Sequence, residues 1–412
     1  MNILYVNHYA GAPAYGMEYR PYYLAREWVR AGHKVRVLAG SYSHVRARQP
    51  TPPAGDAPAQ WLERIDGIEY VWYRTRPYSG NGLGRVRNIA EFLGRIAWDA
   101  RRTVRAFSPQ VVIASSTYPM DIWVARCIAR RADARLVFEV HDLWPASPIE
   151  LSGMSSRHPF ILICQKAEND AYRDADVVVS MLPMVAEHMA AHGLDLRKLH
   201  VVPNGISPEE WDGCPTPLAA NLSAHIASER AAGRCVVVYA GSHGEPNALD
   251  VLLDAARLTD GAPISFVLVG DGHERQRLVR RVADEGLRNV AMFSPVPKAQ
   301  IPSLLALADI AYIGWKRQPL YRFGIAPNKL MDYMMAGVPI LHSVEAGNDP
   351  VAEAGCGLTV APESPGAVAE GLRRLAAMAP AQRREMGARG RPYVLKYHAY
   401  PRLARRFLEA SA

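Results

Sequence analysis

Short apolar runs, each followed by a loop and then an amphipathic stretch, recur along the chain. Residues 3–6 (ILYV) are the first run, and a glycine-containing loop, residues 8–16 (HYAGAPAYG), follows it. Residues 18–31 then place Tyr22, Ala25, Trp28 and Val29 on one side of a helix that Gly32 ends. Residues 35–39 make the next strand. This strand–loop–helix–strand unit predicts the opening of a doubly wound α/β domain. Further strands are predicted at 70–72, 111–115, 136–140, 177–180 and 199–202, with helices between them. Runs this short and apolar suit a sheet covered on both faces. Residues 41–67 are polar and rich in Pro, Arg and Ala, and predict a long excursion from the core. Residues 84–107 predict a helix with a basic face (Arg85, Arg87, Arg95, Arg101, Arg102, Arg105) and apolar positions at Phe92, Ile96 and Trp98. A basic amphipathic helix suits an anionic lipid surface, or simply a solvated outer face.

Pro203-Asn204-Gly205 is a turn signal, and 203–211 reads as a linker. The pattern then repeats. Strands are predicted at 236–240, 265–269, 290–293, 310–313, 339–341 and 358–360, and helices at 249–258, 365–378, 380–397 and 400–410. A short helix at 327–336 is begun by Pro327 and stopped by Gly337 and Pro339. The expectation is an α/β protein of two Rossmann-like, doubly wound parallel-sheet domains facing a central cleft. Residues 1–203 form the first domain and 204–390 the second, and a terminal helix within 391–412 packs back on the first.

At 412 residues the chain is too long for one core, and 49% hydrophobic with 21% charged residues is the balance of a soluble globular protein. The net charge of +8 admits nucleic acid, an anionic membrane surface or an anionic small substrate. The basic residues are not interleaved with aromatics in a nucleic-acid module, which argues against the first. Five cysteines are scattered without a CxxC or Cys/His cluster. That argues against a zinc site or disulfide framework and fits a reduced, cytoplasmic compartment. The N-terminus reads as a strand rather than a signal peptide. The mid-chain apolar run, residues 160–164, is far short of the roughly 20 residues a spanning helix needs, so any membrane contact is peripheral, on the inner face.

Four places carry candidate chemistry. The first turn of the 327–336 helix holds Asn328 and Lys329, where free N–H groups and the positive dipole end suit a phosphate. Asp332, one turn on, offers a carboxylate to a sugar diol. The strand-end loops YAGSHG (Gly241, Ser242) and VGDGHE (Gly272) let backbone approach a ligand closely. His141, in FEVHDLWP, lies just past a strand, where an imidazole can orient or deprotonate a hydroxyl. Each also has a plain reading: a core helix, tight turns, a histidine satisfied in the interior. Asp174-Ala175-Asp176 spells DxD, but it precedes a strand instead of ending one. The first loop is not GxGxxG, so a nicotinamide dinucleotide has little support.

HDLWP, ADVVVS…VVPNGI, the YAGSHG and VGDGHE loops, and PNKLMDYMMAGVPIL occur in this order. Over almost the whole chain the sequence resembles the retaining GT-B glycosyltransferases of family 4. Its first 50 residues look closest to the bacterial O-antigen and capsule branch that transfers N-acetylated hexosamines, such as the L-fucosamine transferases. The resemblance implies transfer of a hexose from a nucleotide sugar, UDP-linked, to a lipid-linked saccharide, with no cofactor and no metal. His141 matches the family's active-site histidine. The donor side comprises Gly11, Gly16, Gly241, Ser242, Gly272, Val296, Asn328, Lys329 and Asp332. Asp332 stands where the family has the second glutamate of Glu-x7-Glu; the first has no match. Ser242 and Ala248 occupy the places of the usual diphosphate-binding Arg and Lys, which moves that role to Lys329, with Lys316 and Arg322 as further candidates. Two other readings stay open: a nucleotide-sugar epimerase or hydrolase, and a non-catalytic saccharide-binding protein.

Overall fold

The first half of the chain supplies β1 (Asn2–Val6), β2 (Lys34–Gly40), β3 (Gln60–Ile65), β4 (Ile68–Tyr73), β5 (Val111–Ala114), β6 (Arg135–Val140), β7 (Val177–Ser180) and β8 (Leu199–Val201). The computed structural model describes residues 1–16, 19–53, 58–80, 82–213 and 216–411. These strands form one sheet in the order β3-β4-β2-β1-β5-β6-β7-β8, parallel throughout except for β3 against β4. The predicted excursion at 41–67 therefore contains an unforeseen strand. Trp61 lies opposite Trp72 and Ile65 opposite Ile68, and Asp66-Gly67 between them takes two positive φ values, 49° and 81°. That is the two-residue turn whose twist matches a hairpin. Residues 54–57 of the excursion, and Glu18 at the head of the first predicted helix, lie outside the described residues.

The chain divides into two units, Met1–Asn204 with Tyr400–Ala412, and Gly205–Ala399. The return to the first unit falls after Ala399, not near residue 390. The predicted 380–397 helix is two helices, Pro380–Ala388 and Gly390–Tyr397, and both belong to the second unit. The helix Tyr400–Ser411 lies against Tyr19–Arg30: Tyr23 stacks on Tyr400 at 4.7 Å, and the Trp28 indole donates to the Ala404 carbonyl at 3.0 Å. Tyr400, Leu403 and Phe407 complete one apolar cluster with β1, β2 and β4.

On the helix Leu83–Phe107, Phe92 and Ile96 are buried as expected, but Trp98 is 93% exposed. It shares the outer face with Arg101, Arg102 and Arg105. The two carboxylates of the DxD sequence are used internally. Asp174 pairs with Arg126 and Arg173, and Asp176 accepts the Leu136 amide at 2.8 Å.

The second unit contains β9 (Cys235–Ala240), β10 (Ile264–Val269), β11 (Val290–Phe293), β12 (Ile310–Gly314), β13 (Ile340–Ser343) and β14 (Gly357–Thr359). All its pairings are parallel, in the order β11-β10-β9-β12-β13-β14. β9 and β10 are buried along their whole length, and separate apolar clusters cover the two faces of the sheet.

Candidate active site

In the second sheet the winding leaves β9 in both directions, so a switch point lies between β9 and β12. Open α/β sheets bind ligands at such a point, beyond the carboxyl ends of the strands. β9 delivers Gly241-Ser242-His243-Gly244 there, and the helix Asn328–Ala336 enters after β12. Tyr333 joins the two: its hydroxyl accepts from the Ala240 amide at 2.9 Å and donates to the Ala240 carbonyl at 3.2 Å.

This anchorage sets Lys329 over the strand end. Its Nζ donates to Tyr239 Oη at 3.0 Å and to Asn247 Oδ1 at 2.5 Å, and lies 4.8 Å from the Tyr239 ring centroid. A Cβ at Gly241 would stand 3.2 Å from that Nζ. Both hydrogen-bond partners are neutral, and burial lowers the Lys329 pKa to about 8. No side chain caps the helix that carries it, so its first amides add their partial positive charge. Lys316 and Arg322 are committed elsewhere. Lys316 pairs with Glu245 at 2.6 Å, and Arg322 donates to the Pro319 carbonyl at 2.7 Å and lies over the Phe323 ring.

The strand-end loops are locked to each other by backbone. The His243 amide donates to the Asp271 carbonyl at 2.8 Å, and the Glu274 amide to the His243 carbonyl at 3.0 Å. A Cβ at Gly270 would fall 1.8 Å from the Gly241 oxygen, and one at Gly272 would fall 2.5 Å from the His243 oxygen. Only glycine permits that approach. His243 is fully buried, and burial, reinforced by Arg275, lowers its pKa to about 4, so its ring is neutral. Ser242 and Asn328 are exposed, and the Ser242 carbonyl accepts from Tyr239 Oη at 2.6 Å. Asp332 is half-buried, and burial raises its pKa to about 6. Val296 packs partly buried against the cluster that contains Leu330 and Met331.

In the first unit, β6 carries Glu139 inside an apolar run, with no exposed surface. Arg20 Nε donates to its Oε1 at 2.9 Å, Ser115 Oγ to its Oε2 at 2.6 Å, and the Tyr5 hydroxyl also donates to Oε2. Burial alone would raise the Glu139 pKa, but Arg20 and then His141 outweigh it and hold the carboxyl well below the usual range. His141 Nε2 lies 3.1 Å from Glu139 Oε2 and 2.8 Å from Ser115 Oγ. The serine proton goes to Glu139, so the hydrogen-bond network assigns the ring proton to Nε2 and leaves Nδ1 as the acceptor. An imidazole held this way can orient a hydroxyl. Asp142, next in sequence, is turned to Trp144 and Ser147 instead.

Gly11 and Gly16 belong to the loop after β1. The Gly11 carbonyl accepts from the Tyr70 hydroxyl at 3.0 Å, and Gly16 takes φ 78° at a bridge to Ala12. A cavity of ≈ 470 Å³ opens in this unit, lined by Leu83, Val86, Trp144, Pro148 and Leu151, with Arg85 and Asp142 at its wall.

Two family models match the chain: Glycosyl transferase 4-like domain over residues 15–205, and Glycosyl transferases group 1 over residues 234–378. With the fold, these matches support a GT-B glycosyltransferase of the family 4 type. Among curated proteins the chain is 28% identical to WcaI of Escherichia coli (strain K12), assigned as a glycosyl transferase to colanic acid biosynthesis. That match spans 359 residues, 84% of this chain and 86% of its relative. Among solved structures the fold is similar to sucrose-phosphate synthase from Thermosynechococcus elongatus (TM-score 0.73, 17% identity, 99% and 98% of the two chains). It is also similar to Anabaena HepE in complex with UDP-glucose (TM-score 0.66, 15% identity, 99% and 98%).

Within the second unit, Gly241 lies beside Lys329, and Gly272 lies against the His243 backbone. Tyr239, Asn247 and Tyr333, which hold Lys329 in place, were not foreseen. Nor were Arg20, Tyr5, Ser115 and Glu139 around His141. Glu139 had a visible signal, as a lone carboxylate within a strand buried on both faces must be matched by a partner.

Because the folded-state pKa of Glu139 is depressed, its contribution to stability is complete above the unfolded value of about 4.3 and is lost as pH falls below it. Arg20→Met leaves the carboxylate buried without its main cation. We expect it to destabilise the first unit by about 3–5 kcal/mol at neutral pH and to move the onset of acid unfolding to higher pH. Urea titrations between acid and neutral pH, followed by tryptophan fluorescence, measure both; an unchanged acid onset would contradict the assignment.

Proposed function

We propose that the chain is a retaining transferase that moves a hexose, N-acetylated as the resemblance of its first 50 residues implies, from a UDP-sugar to a lipid-linked saccharide in cell-surface polysaccharide synthesis. The observation that carries the reading is Lys329, a half-buried ammonium whose hydrogen-bond partners are both neutral, at an uncapped helix N-terminus beside Gly241. Such a site lacks only an anion. A nucleotide diphosphate meets two features at once, the full charge and the helix amides. The UDP-glucose held by HepE and the polysaccharide pathway named for WcaI support the donor and the product class.

In the proposed reaction the bond between the anomeric carbon and the diphosphate oxygen breaks, and a bond from that carbon to the acceptor hydroxyl oxygen forms on the same face. The hydroxyl proton passes to the departing phosphate oxygen. Lys329 and the helix amides hold the diphosphate as its charge grows. His141 positions the acceptor beside the departing phosphate oxygen, and Glu139 keeps the imidazole in its tautomer. Asp332, one turn along the helix, is assigned to the ribose hydroxyls, and Ser242, Asn328 and Val296 to the donor's surroundings. Gly11 and Gly16 are assigned to the loop that covers the donor. The reaction as written needs neither a metal nor a cofactor.

The apolar cavity beside Trp144 suits the isoprenoid end of a lipid-linked acceptor, and Arg85 at its wall suits a phosphate. Trp98, Arg101, Arg102 and Arg105 on one exposed face suit the headgroup region of an anionic membrane. No helix among the described residues is long and apolar enough to cross a membrane, so this reading has the protein lying on the inner face.

Three outcomes test this function. Lys329→Ala should weaken UDP binding in calorimetry by on the order of 10- to 100-fold. The wild-type affinity should be fullest below about pH 8 and fall as pH rises through it, because the free lysine loses its proton there; Lys329→Arg should flatten that profile. His141→Ala should abolish sugar transfer and leave UDP affinity intact, whereas release of free sugar without any acceptor would favour the hydrolase alternative. Trp98→Ala combined with Arg101→Glu and Arg102→Glu should reduce sedimentation with anionic vesicles but not with neutral ones; equal sedimentation would remove this helix from the membrane reading.

A further inference from the structure

Two helices that follow the His141 strand bring together three metal-ligating side chains that no step above uses. His188 and His192 sit four residues apart at the helix Ala186–Ala191 and its C-terminal cap, so they share one face. Glu168 faces them from the helix Pro159–Asp174. One ligand atom from each lies within 4.8 Å of the others. His188 Nε2 is 3.9 Å from Glu168 Oε1, and the two rings are 4.4 Å apart, centroid to centroid.

The surroundings orient each ligand. His192 Nδ1 is 2.8 Å from the His188 carbonyl. That contact requires a proton on Nδ1 and presents Nε2 with its lone pair outward, as in the outer-shell bonds that fix metal-binding histidines. The Glu168 side chain is 3% exposed. Its two oxygens each receive one hydrogen bond, from Tyr172 at 2.9 Å and from Gln165 at 2.7 Å. Among the described residues no lysine or arginine pairs with it. A buried carboxylate is stable only with a positive partner, and here the groups that face it are two imidazoles.

We propose that Glu168, His188 and His192 form a binding site for a divalent cation of the zinc class, pinning the two helices together. Two imidazole nitrogens and one carboxylate are a ligand set that suits Zn2+ better than Mg2+ or Ca2+, which prefer oxygen alone. With metal–ligand bonds of about 2.0–2.1 Å, tetrahedral ligand atoms stand about 3.3 Å apart. The present separations, 3.9 Å from His188 Nε2 to Glu168 Oε1 and within 4.8 Å overall, must therefore shorten when the ion binds. Three protein ligands leave a fourth position for water. The sequence hid the site because it contains no cysteine and because its carboxylate comes from another helix.

The test uses the full chain without a polyhistidine tag, stripped with chelator and titrated with Zn2+ alone. One equivalent should bind per chain and raise Tm with increasing free Zn2+, and Co2+ in its place should give a tetrahedral visible spectrum. His192→Ala, whose side chain is only partly buried, should weaken Zn2+ binding by more than about tenfold and abolish the Co2+ spectrum. Glu168→Gln, which keeps the side chain's shape, should do the same, and His225→Ala in the second unit should not. Absence of a bound equivalent, or unchanged binding in both His192→Ala and Glu168→Gln, would overturn the proposal.

Discussion

A carboxylate with no access to water sits in the centre of the first sheet, and much of that unit is arranged to neutralise it. Glu139 takes its charge partner from the first long helix, a hydroxyl from β1, another from the end of β5, and an imidazole two residues along its own strand. An unmatched charge there would cost several kcal/mol, so these elements must arrive in register for the sheet to form. Arg20 extends the constraint. Its remaining nitrogens donate to the carbonyls of Val202 and Pro203 at 2.7 and 2.5 Å, and so fix the chain where it leaves the unit.

The second unit solves the opposite problem. Lys329 is half-buried against a phenol and an amide, neither of which carries charge. The fold keeps this ammonium partly unsatisfied, and its incomplete solvation lowers its pKa. Stability favours pairing such a group; binding favours leaving it for a ligand. In one unit a charge is cancelled so that a neighbouring histidine has a defined tautomer, and in the other it is held by neutral partners alone.

Most strands were legible because short, continuous apolar runs are what a sheet buried on both faces requires. β3 was not, because Gln60–Ile65 alternates between buried and exposed positions inside a polar stretch, although Asp66-Gly67 is a hairpin signal in its own right. Trp98 was misplaced because a tryptophan on a helix is usually turned inward, whereas here it points out among arginines. Lys329 was legible from its place on the helix. Its holders were not, since Tyr239 and Asn247 come from an earlier winding of the sheet and only the parallel pairing of β9 with β12 brings them near. The glycines at 241 and 272 were read as room for a ligand; they also let one loop's backbone lie against the other.

The helix Tyr400–Ser411 has a consequence for how the protein is made. It covers Tyr23 and Trp28 in the first unit, yet it is synthesised only after the whole of the second unit. The second unit is continuous in sequence and has all its strands and helices once Ala399 has left the ribosome. The first unit must wait with an open apolar face until that helix has been made. Synthesis therefore runs from the first unit to the second, and completion runs the other way, with that waiting surface as the stage at which the nascent chain is most exposed to aggregation.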